Sequence, residues 1–262
     1  MKKILILLIA IIIGACSSKK ENNEIIVAME LQYPPFETID SSGNPSGISV
    51  EIASDLADNL NKKLVVRNTS WVGLIPTLQN DNADLILSSM SITEDREKAV
   101  DFSLPYAKSW LALLLNKQTK AENFNDLNSP EYTVVVKSGT VGANLASKKL
   151  PNAKVKSFEN LENCVLEVAQ GKADVFIYDP LTIYENYKKY KETTKMNLQP
   201  IEGTLQYWAI AVKKGNGRLL NEVNKFLLEC KREGKFKKIS DKYLSDLQNY
   251  LRKNNLDLFW DI

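Results

Sequence analysis

Apolar and polar residues alternate along this chain with two different periods, and the two periods take turns. Residues Glu24 to Glu30 follow the period of a strand, Ile48 to Leu60 place apolar residues at helical spacing, and Lys63 to Asn68 return to the strand period. A helix over Gly73 to Gln79 and a strand over Asp84 to Ser88 follow, and Trp110 to Asn116 reads as a buried strand. The alternation then restarts with strand Tyr132 to Lys137, helix Val141 to Lys149, strand Lys154 to Phe158, helix Leu161 to Ala169 and strand Asp174 to Tyr178. Such alternation predicts an α/β fold, with parallel sheet covered by helices. Tyr207 to Lys213 and Leu219 to Glu233 predict a strand and a helix that return to the first half. Asp241 to Ile262 add a mostly polar helix with an apolar tip, Leu258, Phe259 and Trp260, expected to be a packing appendage.

Two segments echo one another. Leu78 to Ile86 and Ala169 to Phe176 each end a helix, turn, and enter a strand through Ala-Asp, at Ala83-Asp84 and Ala173-Asp174. The echo predicts two similar α/β lobes in tandem, each delivering polar residues at the carboxyl ends of its strands, where open sheets bind ligands.

The amino end differs from the rest. Met1-Lys2-Lys3 precede an unbroken apolar run from Ile4 to Ile13, a basic start and short core typical of a secretory signal. The run ends in Ile13-Gly14-Ala15-Cys16, which resembles the lipobox of bacterial lipoproteins, with Cys16 as the residue that would carry lipid. Residues 16–23 then read as a polar tether, and one lipidated terminus would hold the protein on a membrane without spanning it. No other stretch is long and apolar enough to cross a bilayer.

Without Lys2 and Lys3, basic and acidic residues number 32 each, a balance that argues against nucleic acid as partner. The roughly 240 residues that remain can bury one large core or two small ones. The chain has no histidine, which removes His-dependent triads, bases and zinc sites together. No cofactor or metal is implied. Cys164 and Cys230 are either a disulfide or two buried thiols, and their spacing does not choose.

Candidate chemistry gathers at strand ends. Strand Asp84 to Ser88 runs into Ser88, Ser89, Ser91 and Thr93, with Thr93 placed as the N-cap of a helix carrying Arg96. Hydroxyls, free N–H groups and one guanidinium in a small volume make an anion site suited to a carboxylate, or else simply a capped helix with a surface arginine. Strand Tyr132 to Lys137 meets Ser138-Gly139-Thr140-Val141-Gly142 before a helix, where glycine permits close backbone approach; a nucleotide P-loop is not present. Asp179, ahead of Pro180, either accepts an ammonium or caps the following helix. Tyr33 and Phe36, in a loop stiffened by Pro34 and Pro35, and Trp71 can sandwich the apolar part of a ligand or form lobe core. Glu30 is a further acid at a strand end.

Together these residues resemble the polar-amino-acid-binding proteins of ABC importers, solute-binding protein family three, from the start of the mature chain to about Leu244. The marks are Tyr33-Pro34-Pro35-Phe36-Glu37, Gly47-Ile48 with Glu51, Leu74-Ile75-Pro76, Ala83-Asp84, Ser91 to Arg96, Asp101-Phe102-Ser103 with Pro105-Tyr106, and Ser138-Gly139-Thr140. The resemblance implies a type II periplasmic-binding-protein-like fold, two α/β lobes joined by two hinge strands. Residues 1–15 would be the signal, 24–108 and 208–262 the first lobe with an extension at 245–262, and 109–207 the second. It further implies that Arg96 holds an α-carboxylate, helped by Ser89, Ser91 and the hydroxyl or amide of Thr140 or its neighbours, with Ser88 also in the binding set, and that Asp179 takes the α-ammonium. Tyr33 and Trp71 would flank the ligand, Glu30 and Lys137 would face its side chain or its polar end, and Val141, also counted with the site, stands with Gly142 where some relatives carry polar residues. Ile48 and Ser49 replace the family's usual Phe and acid and read as packing changes away from the site.

The expected function is therefore a lipid-anchored, extracytoplasmic monomer, periplasmic or on the cell surface, that captures a free amino acid, polar or basic, and delivers it to the membrane subunits of an ABC transporter. Three rivals use the same fold. A cyclohexadienyl dehydratase-like enzyme would need Glu30 or Lys137 as general acid or base. A sensory module would act through a partner receptor, and a structural lipoprotein or adhesin would bind no amino acid.

Overall fold

The protein is described by a computed structural model covering residues 23–256. The predicted signal, the lipidation site Cys16 and the apolar tip at Leu258, Phe259 and Trp260 lie outside the described residues. Strands β1 (Glu24–Met29), β4 (Lys63–Asn68), β5 (Leu85–Ile86), β6 (Val100–Ser109) and β12 (Gln206–Lys213) form one five-stranded sheet in the order β4-β1-β5-β12-β6. Strands β7 (Ala112–Asn116), β8 (Thr133–Lys137), β9 (Lys154–Phe158), β10 (Val175–Tyr178) and β11 (Thr194–Asn197) form the other, β11-β7-β10-β8-β9. A small hairpin, β2 (Thr38–Ile39) with β3 (Pro45–Ser46), lies beside the first. The chain crosses between the sheets twice, at Trp110-Leu111 and again over residues 198–205.

Each sheet is parallel at its centre, β1 with β4 and β5 in one and β8 with β9 and β10 in the other, and is closed by antiparallel strands from the crossovers. Parallel strands need helices on both faces, and the side-chain period of two distributes the apolar residues accordingly. In β1, Val27 and Met29 pack with Ile52 and Leu56 of helix α1 (Ile48–Asn59), while Ala28 packs with Leu74 and Leu78 of α2 (Leu74–Gln79) on the opposite face. In β8, Val135 meets Val165 and Val168 of α5 (Leu161–Ala169), and Val134 and Val136 meet Ala146 of α4 (Val141–Lys149). These side chains are almost wholly buried, each contributing about 1.5–3 kcal/mol if it is a Val, Leu, Ile or Phe.

Helix starts follow local chemistry. Asn160 caps α5, its side-chain oxygen accepting from the N–H of Glu162 (2.8 Å) and Asn163 (3.3 Å). Thr93 caps α3 (Glu94–Glu97), a helix of a single turn. Strand β6 was not anticipated, because Pro105 interrupts its alternation; at the sheet edge a proline costs no ladder bond.

Helix α6 (Pro180–Lys189) covers the second sheet, and α7 (Gly217–Arg232) and α8 (Lys235–Tyr243) complete the first. The extension, 245–262, assigned to the first lobe from its place in the sequence, reaches the second half through α9 (Ser245–Lys253), while α8 ahead of it holds to the first. Tyr243 and Lys242 of α8 bond Glu51 of α1, whereas in α9 Tyr250 lies 5.3 Å from the ring of Tyr184 and Asp246 sits 3.6 Å from Lys188, both on α6. Leu247 and Leu251 bury the inner face of α9, a tertiary preference no sequence window records. Cys164 and Cys230 are both free and buried, and burial pushes their thiols up to about 12 and about 11.

Gly47 holds the aromatic loop against α1. Its φ is 113°, and an added Cβ would sit 2.5 Å from the carbonyl oxygens of Pro35 and Phe36. A Gly47→Ala variant is expected to lose about 2–3 kcal/mol, from backbone strain plus displacement of the loop. Urea unfolding measures it, and a loss below roughly 0.5 kcal/mol would contradict the close approach.

Candidate functional site

The carboxyl ends of β1, β5, β8 and β10 face each other across the gap between the sheets and enclose a cavity of about 50 Å³. Glu30, Tyr33, Trp71, Ser88, Ser89, Ser91 and Arg96 line it from the first sheet, and Thr140, Val141 and Asp179 from the second. Ten of the predicted ligand residues thus share one cavity, and the eleventh, Lys137, stands behind its wall. Glu37, Leu111, Gly142, Tyr178, Gln206 and Trp208 also line it and were not among the predicted site residues.

Arg96 is positioned by its own backbone turn and by aromatic contact. Its guanidinium lies 5.0 Å from the centre of the Trp71 ring and donates to the carbonyls of Ser91 (2.8 Å) and Gly139 (3.2 Å). Burial pulls it down to about 10, so it remains charged at neutral pH. The amide of Arg96 is taken by Thr93 Oγ1 at 3.3 Å, so the attraction for an anion resides in the guanidinium and not in the short α3. Gly139, with φ of 71°, lets its carbonyl receive both Arg96 and Trp71 Nε1 (3.0 Å) from the opposite sheet.

Asp179 combines the two roles its sequence context left open. As the cap of α6, its Oδ1 accepts from the N–H groups of Leu181 and Thr182, each at 3.0 Å, and from the Tyr33 hydroxyl at 2.7 Å. Its Oδ2 is buried and has no hydrogen-bond partner among the described residues. Burial raises the Asp179 carboxyl above its usual value, against those donors, and burial with the adjacent Asp179 drives the Tyr33 phenol well upward. A cation brought to Oδ2 restores the ionised carboxylate.

Thr140 caps α4, and its hydroxyl donates to the Lys137 carbonyl (2.7 Å). What α4 offers the cavity is its first turn at Val141 and Gly142, where N–H groups have no carbonyl partner within the helix. Ser91 bonds the Gln206 side chain. Lys137 and Glu30 form a cross-sheet ion pair whose side chains are 1% and 8% exposed, and the second Glu30 oxygen accepts from the Trp71 N–H at 3.2 Å.

Glu37 is the residue the sequence reading passed over. It is buried, and the hydroxyls of Ser49 (2.5 Å), Ser89 (3.2 Å) and Ser88 (3.4 Å) donate to it; burial nevertheless pushes its carboxyl up to about 8. Ser49, expected to be remote from the site, reaches it through this carboxyl. Ser89 holds a left-handed backbone, φ 49°, at the same spot. The only signal was the position of Glu37 after the aromatic loop, which does not say which way its side chain turns.

Among the described residues no cluster of acids and cysteines could hold a metal ion, and no helix is long and apolar enough to cross a membrane. Residues 25–246 match the model of the bacterial extracellular solute-binding proteins, family 3. A probable histidine-binding protein of Neisseria gonorrhoeae is 32% identical over 84% of this chain and 82% of its own. A putative ABC-transporter binding component from Wolinella succinogenes, solved with lysine, is 33% identical with a TM-score of 0.78, over 84% of this chain and 95% of that one. An ancestral amino-acid-binding protein, a precursor of cyclohexadienyl dehydratase, is 32% identical with a TM-score of 0.76 at the same coverages. The two-sheet architecture, the cavity between the sheets and a match spanning nearly all the described residues agree, and the chain belongs to the bacterial extracellular solute-binding proteins of family 3.

Proposed function

We propose that the protein captures a free amino acid between its lobes and delivers it to the membrane subunits of an ABC transporter. The observation that carries this is the pairing, in one cavity, of a guanidinium from one sheet with a buried, unpartnered carboxylate oxygen from the other. A zwitterion needs such opposite charges, Arg96 for its carboxylate and Asp179 Oδ2 for its ammonium, with the first turn of α4 and Ser89 adding donors and Tyr33 and Trp71 flanking the chain. Because the two charges come from different lobes, the ligand bridges them and favours the closed arrangement, a hinge-type population shift.

As a member of an extracellular family the protein works outside the cytoplasm. We further propose that residues 1–15 are removed as a signal, that Cys16 carries lipid and tethers a monomer through residues 16–23, and that 24–108 with 208–262 and 109–207 move as the two lobes. A thermal-shift panel of the standard amino acids tests the function. A ligand at a hundredfold excess over its Kd adds about 2.7 kcal/mol, roughly 5–10 °C in Tm for a chain of this size. Absence of a shift with every amino acid would end the proposal. The dehydratase reading is favoured only by its ancestral neighbour; Glu30 and Lys137, the groups it requires, are engaged with each other.

A further inference from the structure

Whether an amino acid binds is separate from which side chain the cavity accepts, and the charge arrangement bears on the second. Glu30 directly follows β1 and Lys137 ends β8, so the pair joins the two sheets at the cavity wall. Both Glu30 oxygens are engaged, one by the Lys137 ammonium and one by the Trp71 N–H. Lys137 is 1% exposed, its ammonium also 5.8 Å from the centre of the Trp71 ring. Of the remaining acids that line the cavity, Asp179 is the partner for an ammonium, and Glu37 is enclosed by three serine hydroxyls. At neutral pH burial holds Glu37 mostly protonated.

We propose that the Glu30–Lys137 pair is a specificity device that closes the site to charged side chains, so that the ligand is an amino acid whose side chain is uncharged. The inference rests on the amino-acid reading of the cavity. With Arg96 and Asp179 matched by the ligand's own carboxylate and ammonium, and Glu30 matched by Lys137, the closed cavity is electrically balanced. A cationic side chain adds a buried charge facing an acid already neutralised, and an anionic one meets an ammonium already paired. In either case an uncompensated charge enters a poorly solvated site, where its cost is largest. An uncharged side chain leaves the balance intact, and a polar one can still share hydrogen bonds with the pair.

The test is titration calorimetry of the protein with glutamine, asparagine, serine, leucine, arginine, lysine, glutamate and aspartate, repeated on Lys137→Met, Glu30→Gln and the double variant. In the unmodified protein an uncharged amino acid is expected to bind at least about 30-fold more tightly than any of the four charged ones. Lys137→Met frees the Glu30 carboxylate and is expected to move preference toward lysine and arginine by about 100-fold; Glu30→Gln moves it toward glutamate and aspartate. The double variant returns to an uncharged ligand. Tightest binding of lysine or arginine, or of an acid, by the unmodified protein would overturn the inference, as would a Lys137→Met variant with unchanged selectivity. Should a single variant fail to fold by circular dichroism, the unmodified panel decides alone. No binding of any amino acid would instead refute the function on which the inference rests.

Discussion

Replacing Arg96 by alanine is expected to weaken amino-acid binding by roughly 2–5 kcal/mol, about 30-fold to several thousand-fold in Kd. The guanidinium stacks on Trp71 and is braced by the Ser91 carbonyl of its own half, with the Gly139 carbonyl joining from the other half on closure, so its donors are largely held in place before a ligand arrives. Among the described residues no other cationic side chain lines the cavity, and Lys137 is committed to Glu30. The ligand carboxylate would therefore be left with only the amides of α4 and serine hydroxyls. Lysine at this position keeps a charge but loses the planar fork and the ring stacking, and is expected to recover only part of the affinity. Calorimetry on the two variants measures this, with thermal unfolding to establish that the half-buried side chain was not needed for folding. Near-native affinity in Arg96→Ala would mean that the carboxylate is held elsewhere.

The second large effect concerns stability against pH. Glu37 has an ordinary value of 4.5 in the unfolded chain and is pushed up to about 8 in the folded protein by burial, despite the serine donors. Between those values the folded protein holds a proton the unfolded chain has released, so stability falls as pH rises. The contribution is complete below the unfolded value and is lost as pH climbs through the folded one, on the order of 5 kcal/mol from this one residue. Asp179 is raised by burial too and acts in the same direction. The exposed Asp95 and the partly buried Asp101, lowered by contacts with Lys98 and Lys214, act oppositely and weakly at more acid pH. Urea unfolding at about pH 5 and about pH 8 is expected to show the loss, and Glu37→Gln to remove most of the slope between them. A Glu37→Gln variant with the same pH dependence as the unmodified protein would contradict a buried, proton-holding Glu37.

Much of the fold could be read from short windows. Helices α4 and α5 and strands β4 and β9 occupy the ranges their periodicity predicts, because period and capping are properties of a few adjacent residues. The exceptions are instructive. β6 escaped because Pro105 breaks its pattern and only an edge position makes that tolerable. α9 took its packing surface from α6, an element with no sequence proximity.

At the site, the sequence alone determined which chemistry was on offer: Arg96 after a run of hydroxyls, Asp179 poised at a helix start, glycine beside Thr140, aromatic rings in stiffened loops. Those are one-dimensional facts, since a cap or a strand end is defined by neighbours three or four positions away. Only the tertiary structure decided how the charges are shared out. Glu30 meets Lys137 across 107 positions of chain, Glu37 gathers serines from two elements, and Asp179 spends one oxygen on its helix and on Tyr33 while the other, also buried, has no partner among the described residues. Solvent exclusion and contacts between sheets set the electrostatics of each group, and both exist only once the two halves of the chain have come together.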